Sequence, residues 1–142
     1  TFDYVATVDT NNAVSAIQSL MLEVKRMNDK IESMSNHTTT FVDPSLQSIK
    51  GLLNTASDEV VKIKDRIDMI SLSEFGTQIA EIKGKITHLE GFSIRVENIQ
   101  TTINDTLKDE LSKSNIITDE VVKYVKTLTE TDGELHKAIQ HL

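Results

Sequence analysis

Four histidines, 22 carboxylates and no cysteine are the raw material for any chemistry in this chain. His37, His88, His136 and His141 form no i, i+4 pair, and no His-Glu-x-x-His pattern occurs. His136 and His141 stand roughly 140° apart around a helix, a poor arrangement for chelating one ion. All four read as solvent-facing polar residues. Without cysteine there is no thiolate nucleophile, no disulfide and no cysteine-based zinc site.

The carboxylates are spread along the chain and include Asp58-Glu59, Glu81, Glu90, Asp109-Glu110, Asp119-Glu120, Glu130, Asp132 and Glu134. Acid–base catalysis needs carboxylates shifted in pKa by burial and a cleft. Most of these fall on outer helix faces, where carboxylates serve solubility and ion pairing. Glu110 is the exception. Its spacing points it inward, where it would pair with Lys108 or Lys113 or mark a hydrated layer. Asp132-Gly133-Glu134 lacks the alternating ligands and distant glutamate of a calcium loop. Gly84 and Gly91 lie seven residues apart inside an apolar-periodic segment, so they make no phosphate loop. No nucleophile-elbow sequence occurs. Two sequons, at Asn36 and Asn104, would accept glycans on a secretory route. The expectation is a non-enzymatic protein with no cofactor and no metal.

Net charge supports that reading. With 15 basic and 22 acidic residues the chain carries −7 and shows no basic stripe, which disfavours nucleic acid as a partner. No apolar run approaches the ~20 residues of a membrane span, so no direct membrane insertion is expected. The chain begins at Thr1 and reads as a piece of a longer protein.

The elements that carry these residues follow from composition. Aromatic residues make up 4%, with five glycines and one proline among 142 residues. Hairpins and tight turns need Gly, Pro and Asn-Gly steps, so the sequence predicts an all-α chain with Ile, Leu and Val at helical spacing.

Alternating steps of three and four residues mark a coiled-coil seam. In residues 1–37 the seam starts near Thr10 and takes Ala13, Ile17, Leu20, Val24, Met27, Ile31 and Met34. Residues 38–45 break it, with Pro44 predicted at the first position of a new helix behind an Asp43 cap. Residues 46–70 carry Leu46, Ile49, Leu53, Ala56, Val60, Ile63, Ile67 and Ile70. Residues 71–78, with Gly76 and two serines, predict a turn or a stutter. From 79 to 142 one frame holds Ile79, Ile82, Ile86, Leu89, Val96, Ile103, Leu107, Ile117, Val121, Tyr124, Leu128, Leu135, Ala138 and Leu142, over about nine heptads. Ser93, Gln100 and Ser114 intrude at position a, and Glu110 and Thr131 at d. An interruption is expected at 112–116, where Thr118 or Asn115 would cap a new helix. Glu59 with Lys64, and Lys85 with Glu90, sit at g and the following e with opposite charge, as pairs between parallel helices do.

Two architectures fit. One is a parallel homo-oligomeric coiled coil. Ile at both a and d, with Ile99, Leu111, Val125 and Ile139 widening the stripe, favours a trimer or tetramer over a dimer. The other is an antiparallel three- or four-helix bundle folded back at the breaks. The first is the leading expectation because the 79–142 frame is unbroken. It implies a stalk or oligomerisation module within a larger viral fibre, cell-surface fibre or scaffold protein, partnered by copies of itself. The second implies a monomeric module that binds partner helices.

Overall fold

The computed structural model describes residues 9–37, 42–114 and 118–142, apart from the side chains of 36, 37 and 114. Every regular element among them is helical: α1 (Thr10–His37), α2 (Asp43–Asp65), α3 (Leu72–Ser114) and α4 (Asp119–Gln140). Three of the four helices begin where short polar side chains take the place of missing backbone partners. Asp9 Oδ1 accepts the backbone N–H groups of Asn11 and Asn12 ahead of α1. Thr118 Oγ1 accepts the N–H of Val121 at the start of α4. Ser71 Oγ accepts the N–H of Glu74 at 3.1 Å, and Ser71-x-x-Glu74 has the spacing of a capping box.

That cap relocates one turn. Residues 71–78 were expected to be irregular, yet α3 begins at Leu72 and the reversal occupies residues 66–70. The serine that lowers helix propensity in the interior starts a helix when it stands at its N-cap. Arg66 and Glu74 join across the reversal at 3.0 Å. Ile67 and Ile70 thus fall in the turn, where Ile70 is fully buried and Ile67 half-buried. At α2, Val42 is the cap and Pro44 lies within the first two positions; no side-chain cap bond forms there.

The helices fold back on one another as a bundle. Arg26 meets Glu90 at 3.3 Å and Lys30 meets Glu97 at 3.2 Å, so α1 and α3 run parallel. Glu59 faces Lys85 while Arg66 faces Glu74, so α2 runs antiparallel to both. Ser45 meets Asp132 and Ser48 meets His136, so α4 runs parallel to α2 and antiparallel to α3. Helix α3, at 43 residues, extends for about 64 Å. Helices α1 and α2 cover its first two thirds. Helix α4 covers the remainder and overlaps α2. Among the described residues α1 and α4 do not touch.

The apolar core lies within one chain. Ile17, Leu20, Val24, Met27, Ile31, Leu46, Ile49, Leu53, Val60, Ile63, Ile82, Ile86, Leu89, Val96, Ile103, Val121 and Leu135 are all buried. Ile79, Leu107, Leu128 and Leu142 are half-buried, and Ile117 lies outside the described residues. Lys85 and Glu90 do pair with opposite charges, but with Glu59 of α2 and Arg26 of α1 in the same chain.

Tyr124 requires correction: expected in the seam, it is 46% exposed. The side chains α4 buries are Val121, Val125, Asp132, Leu135 and Ile139, with Leu128 half-buried. This stripe shares Val121, Leu128 and Leu135 with the expected frame. It replaces Tyr124, Thr131 and Ala138 by Val125, Asp132 and Ile139, each one residue further on. Two large branched side chains outweigh a tyrosine and an alanine in apolar burial, at the cost of taking a carboxylate inside. The single frame from 79 to 142 is therefore divided in the folded chain: α3 follows it and α4 is rotated from it.

This rotation predicts a contrast. Ile139→Ala should destabilise the bundle by about 2–4 kcal/mol, the cost of truncating a buried isoleucine. Tyr124→Ala should cost less than about 1 kcal/mol. Urea unfolding followed by circular dichroism measures both; equal losses would restore Tyr124 to the core.

Candidate functional site

Among the described residues, the one cluster of buried polar side chains that resembles a reactive centre lies where α4 crosses the first turns of α2. Ser45 is fully buried, and its hydroxyl donates to the backbone carbonyl of Asp132 at 3.1 Å. The small side chain of Ser45 lets the helices approach closely enough for this bond. One turn on, the Ser48 hydroxyl is hydrogen-bonded to His136 Nδ1. His136 is thus half-buried and partnered, not the free solvent-facing residue its position suggested. Asp132 is 2% exposed, and its Oδ1 has no hydrogen-bond partner.

Serine, histidine and aspartate lie together, but the arrangement does not suit nucleophilic catalysis. A relay needs the carboxylate on the ring nitrogen opposite the serine, and donors aimed at a developing oxyanion. Ser48 occupies Nδ1, while the Asp132 oxygen lies without a partner. The backbone N–H groups around Ser48 and His136 are those of helix interiors, already committed to carbonyls four residues back. What the cluster can do is fix register: a Ser–carbonyl bond and a Ser–His bond hold α4 at one height along α2.

Asp132 carries the electrostatic consequence. Burial away from water pushes its carboxyl above the ordinary aspartate value, and the charge of Asp43 adds to this; Ser45 and His136 act in the opposite sense. The sequence reading placed Asp132 outside because it assigned α4 to the α3 frame. The signal that would have found it is the paired Val125 and Ile139, seven residues either side.

The other candidates fall apart. Glu110 is half-buried in a cleft between α3 and the start of α4, with Thr118, Asp119 and Tyr124. No three His, Cys, Asp or Glu side chains among the described residues are grouped so as to hold a metal ion. His88 and His141 are exposed. Asn104 lies on α3, where its Oδ1 accepts from Gln100 Nε2 at 2.9 Å; the side chain of Asn36 lies outside the described residues. Among the described residues no helix is long and apolar enough to cross a membrane.

The surface holds a different kind of site. A groove of about 580 Å³ runs between α1 and α2, lined by Gln18, Met21, Leu22, Val24, Lys25, Asn28 and Ser57. Leu22 is 68% exposed and stands on the ridge of α1 between this groove and a second one, of about 650 Å³, against α3. Val61, one turn beyond Ser57 on α2, is exposed too. In the α1–α2 groove, Asn28 Oδ1 is shielded from solvent without a hydrogen-bond partner. The other long edge is polar. Below the end of α4, the channel between α2 and α3 continues past Glu59, Lys62, Arg66, Gln78, Glu81 and Lys85. Those charges occupy the heptad positions that carry Ser45, Ser48 and Leu52 higher up.

No family model matches the chain, and no curated protein and no solved structure is similar to it.

The buried carboxyl makes a pH prediction with a definite sign. A carboxyl whose pKa is raised on folding binds more protons in the native than in the unfolded state. Stability therefore falls as pH rises from the unfolded value of 3.8 through the raised folded value. Asp132→Asn should raise stability at pH 7 by about 1 kcal/mol and flatten this part of the profile. Thermal melts of both proteins between pH 3.5 and 7.5 test this. A variant less stable at neutral pH would show that the charged carboxylate is favourably held.

Proposed function

We propose that this chain is a non-enzymatic interaction module: a folded-back helical bundle that docks an amphipathic helix of a protein partner in the groove between α1 and α2. The observation behind the reading is the contrast between two helix edges. The α2–α3 edge is lined with paired charges, and Lys85 and Glu59 bridge it. The α1–α2 edge presents Met21, Leu22 and Val24 with few charges. A groove between two packed helices has the shape that takes a third helix by its apolar face.

The chemistry of the rim narrows the partner. Lys25 is the charged residue lining the groove, and it forms no ion pair among the described residues. A partner with carboxylates flanking its apolar stripe gains a charge pair there. Asn28 Oδ1, shielded and unpartnered, offers an acceptor to a side-chain donor. Rim charges of this kind set partner choice and encounter rate more than total affinity.

A second reading rests on a different observation, the heptad frame that runs unbroken from 79 to 142 in the sequence. It supports self-association as a parallel trimer or tetramer, a stalk giving valency to attached domains. Solution mass separates the two readings: a single chain of 15.9 kDa for the docking module, three or four times that for the stalk.

The docking reading is tested with two synthetic helical peptides of identical Leu stripe, one flanked by Glu and one by Lys. The acidic peptide should bind the more tightly by fluorescence anisotropy. Leu22→Glu should weaken its binding at least tenfold, about 1.4 kcal/mol, with the melting temperature unchanged because Leu22 is exposed. Lys25→Glu should reverse the preference. Equal binding of both peptides, or binding indifferent to Leu22, would sink the assignment.

A further inference from the structure

Helix α4 carries three weaknesses of its own. Asp132 stands in the middle of its buried stripe, 2% exposed, with Oδ1 unpartnered. Burial raises the proton affinity of this carboxyl more than Ser45 and His136 lower it. Gly133 follows directly, and a Cβ there would meet nothing within 4 Å, so packing does not call for glycine. A glycine in a helix interior weakens the helix. Thr127, Thr129 and Thr131 each turn a hydroxyl onto the carbonyl four residues back, at 3.0, 2.9 and 3.0 Å. Bonds of this kind slightly destabilise a helix.

The seat beneath α4 does not depend on it in the same degree. Among the described residues α4 rests on α2 and α3 alone. Helices α1, α2 and α3 share an apolar core, to which α4 adds Leu135 and Ile139. Removing α4 leaves most of that core in place and opens the α2–α3 face that received Val121, Val125, Leu128, Leu135 and Ile139. This face recognises a helix by features that make no use of the Asp132 side chain's charge. Ser45 donates to a backbone carbonyl, which any helix supplies. Ser48 is bonded to the ring of His136, one residue past Leu135.

We propose that the α2–α3 face under α4 is a second helix-binding site, held closed by α4, and that its partner is a helix of another protein bearing the α4 stripe with an apolar residue where α4 has Asp132. Such a helix keeps the carbonyl for Ser45 and, with a histidine or amide side chain after its Leu135 equivalent, the bond to Ser48. It differs from α4 at the one position where the fit is poor. Tethering sets α4 at an effective concentration of about a millimolar. A free helix of identical sequence at micromolar concentration loses to it. A helix relieved of the buried, unpartnered carboxylate holds the seat roughly tenfold or more tightly, enough to compete at about a tenth of that concentration. The inference uses a different face from the α1–α2 groove and stands without it.

The probe is a synthetic peptide spanning Asp119–Gln140 with Asp132→Leu and Gly133→Ala, set beside the unaltered peptide. By fluorescence anisotropy the altered peptide should bind the full chain at least tenfold more tightly than the unaltered one. Hydrogen exchange read by mass spectrometry should show the chain's own α4 amides losing protection as the altered peptide binds, with those of α1 unchanged. Asp132→Leu placed in the chain itself strengthens the tethered helix and should abolish peptide binding. Leu22→Glu, on the other groove, should leave it unaffected. Absence of binding, or binding that leaves α4 protected, overturns the proposal, as does a chain carrying Asp132→Leu that still takes the peptide. Equal binding of the unaltered peptide overturns it too, and points to exchange of α4 between copies of this chain.

Discussion

A helix of 43 residues with an apolar stripe along most of its length has to be covered along that length, and this requirement organises the whole bundle. Neither α1 nor α2 is long enough to do it. They pack together against α3 from Phe75 to about Ile103, and the stripe then outruns them. Helix α4 supplies the rest by returning antiparallel along the far end. The overlap of α2 and α4 follows from the same arithmetic, since two partial covers of one long helix must meet somewhere. They meet at Ser45 and Asp132, where a small residue lets the backbones approach and a hydroxyl satisfies a carbonyl.

What α4 buries shows how a core compromises between neighbours. A helix can turn only one arc inward, and the arc that gains Val125 and Ile139 brings Asp132 with it. Removing one carboxylate from water opposes that gain through the raised proton affinity of the buried acid. Ser48 and His136 add a polar contact one turn further on, which fixes the height of α4 against α2 without adding apolar burial. Polar contacts of this kind specify register more than they add stability.

The apolar seams of α1, α2 and α3 were legible in the sequence because each of those helices has one stripe, and a single stripe can face only one way. Helix α2 starts at Asp43, beside the Pro44 expected at the first helical position, and residues 38–41 of the expected break lie outside the described residues. The turn before α3 was misplaced because a serine weakens a helix from inside and starts one from its cap, and composition does not say which applies. The rotation of α4 was invisible for a deeper reason. Both of its registers are apolar at Val121, Leu128 and Leu135, and only the partner surface decides between them. The cluster of Ser45, Ser48, Asp132 and His136 was hidden by the same ambiguity, since its members are 87 and 88 residues apart and meet only if α4 is rotated as it is.

Charge distinguishes the two edges of α2. The heptad positions that carry Ser45, Ser48 and Leu52 where α4 sits carry Glu59, Lys62 and Arg66 beyond its end. A helix laid further along that channel would have to desolvate them, and exposed pairs such as Glu59–Lys85 return little of that cost. The α1–α2 edge has no comparable barrier around Leu22. A surface that excludes helices on one side and leaves an apolar ridge on another is asymmetric in what it can bind. The two edges of α2 thus differ in what it would cost to cover them.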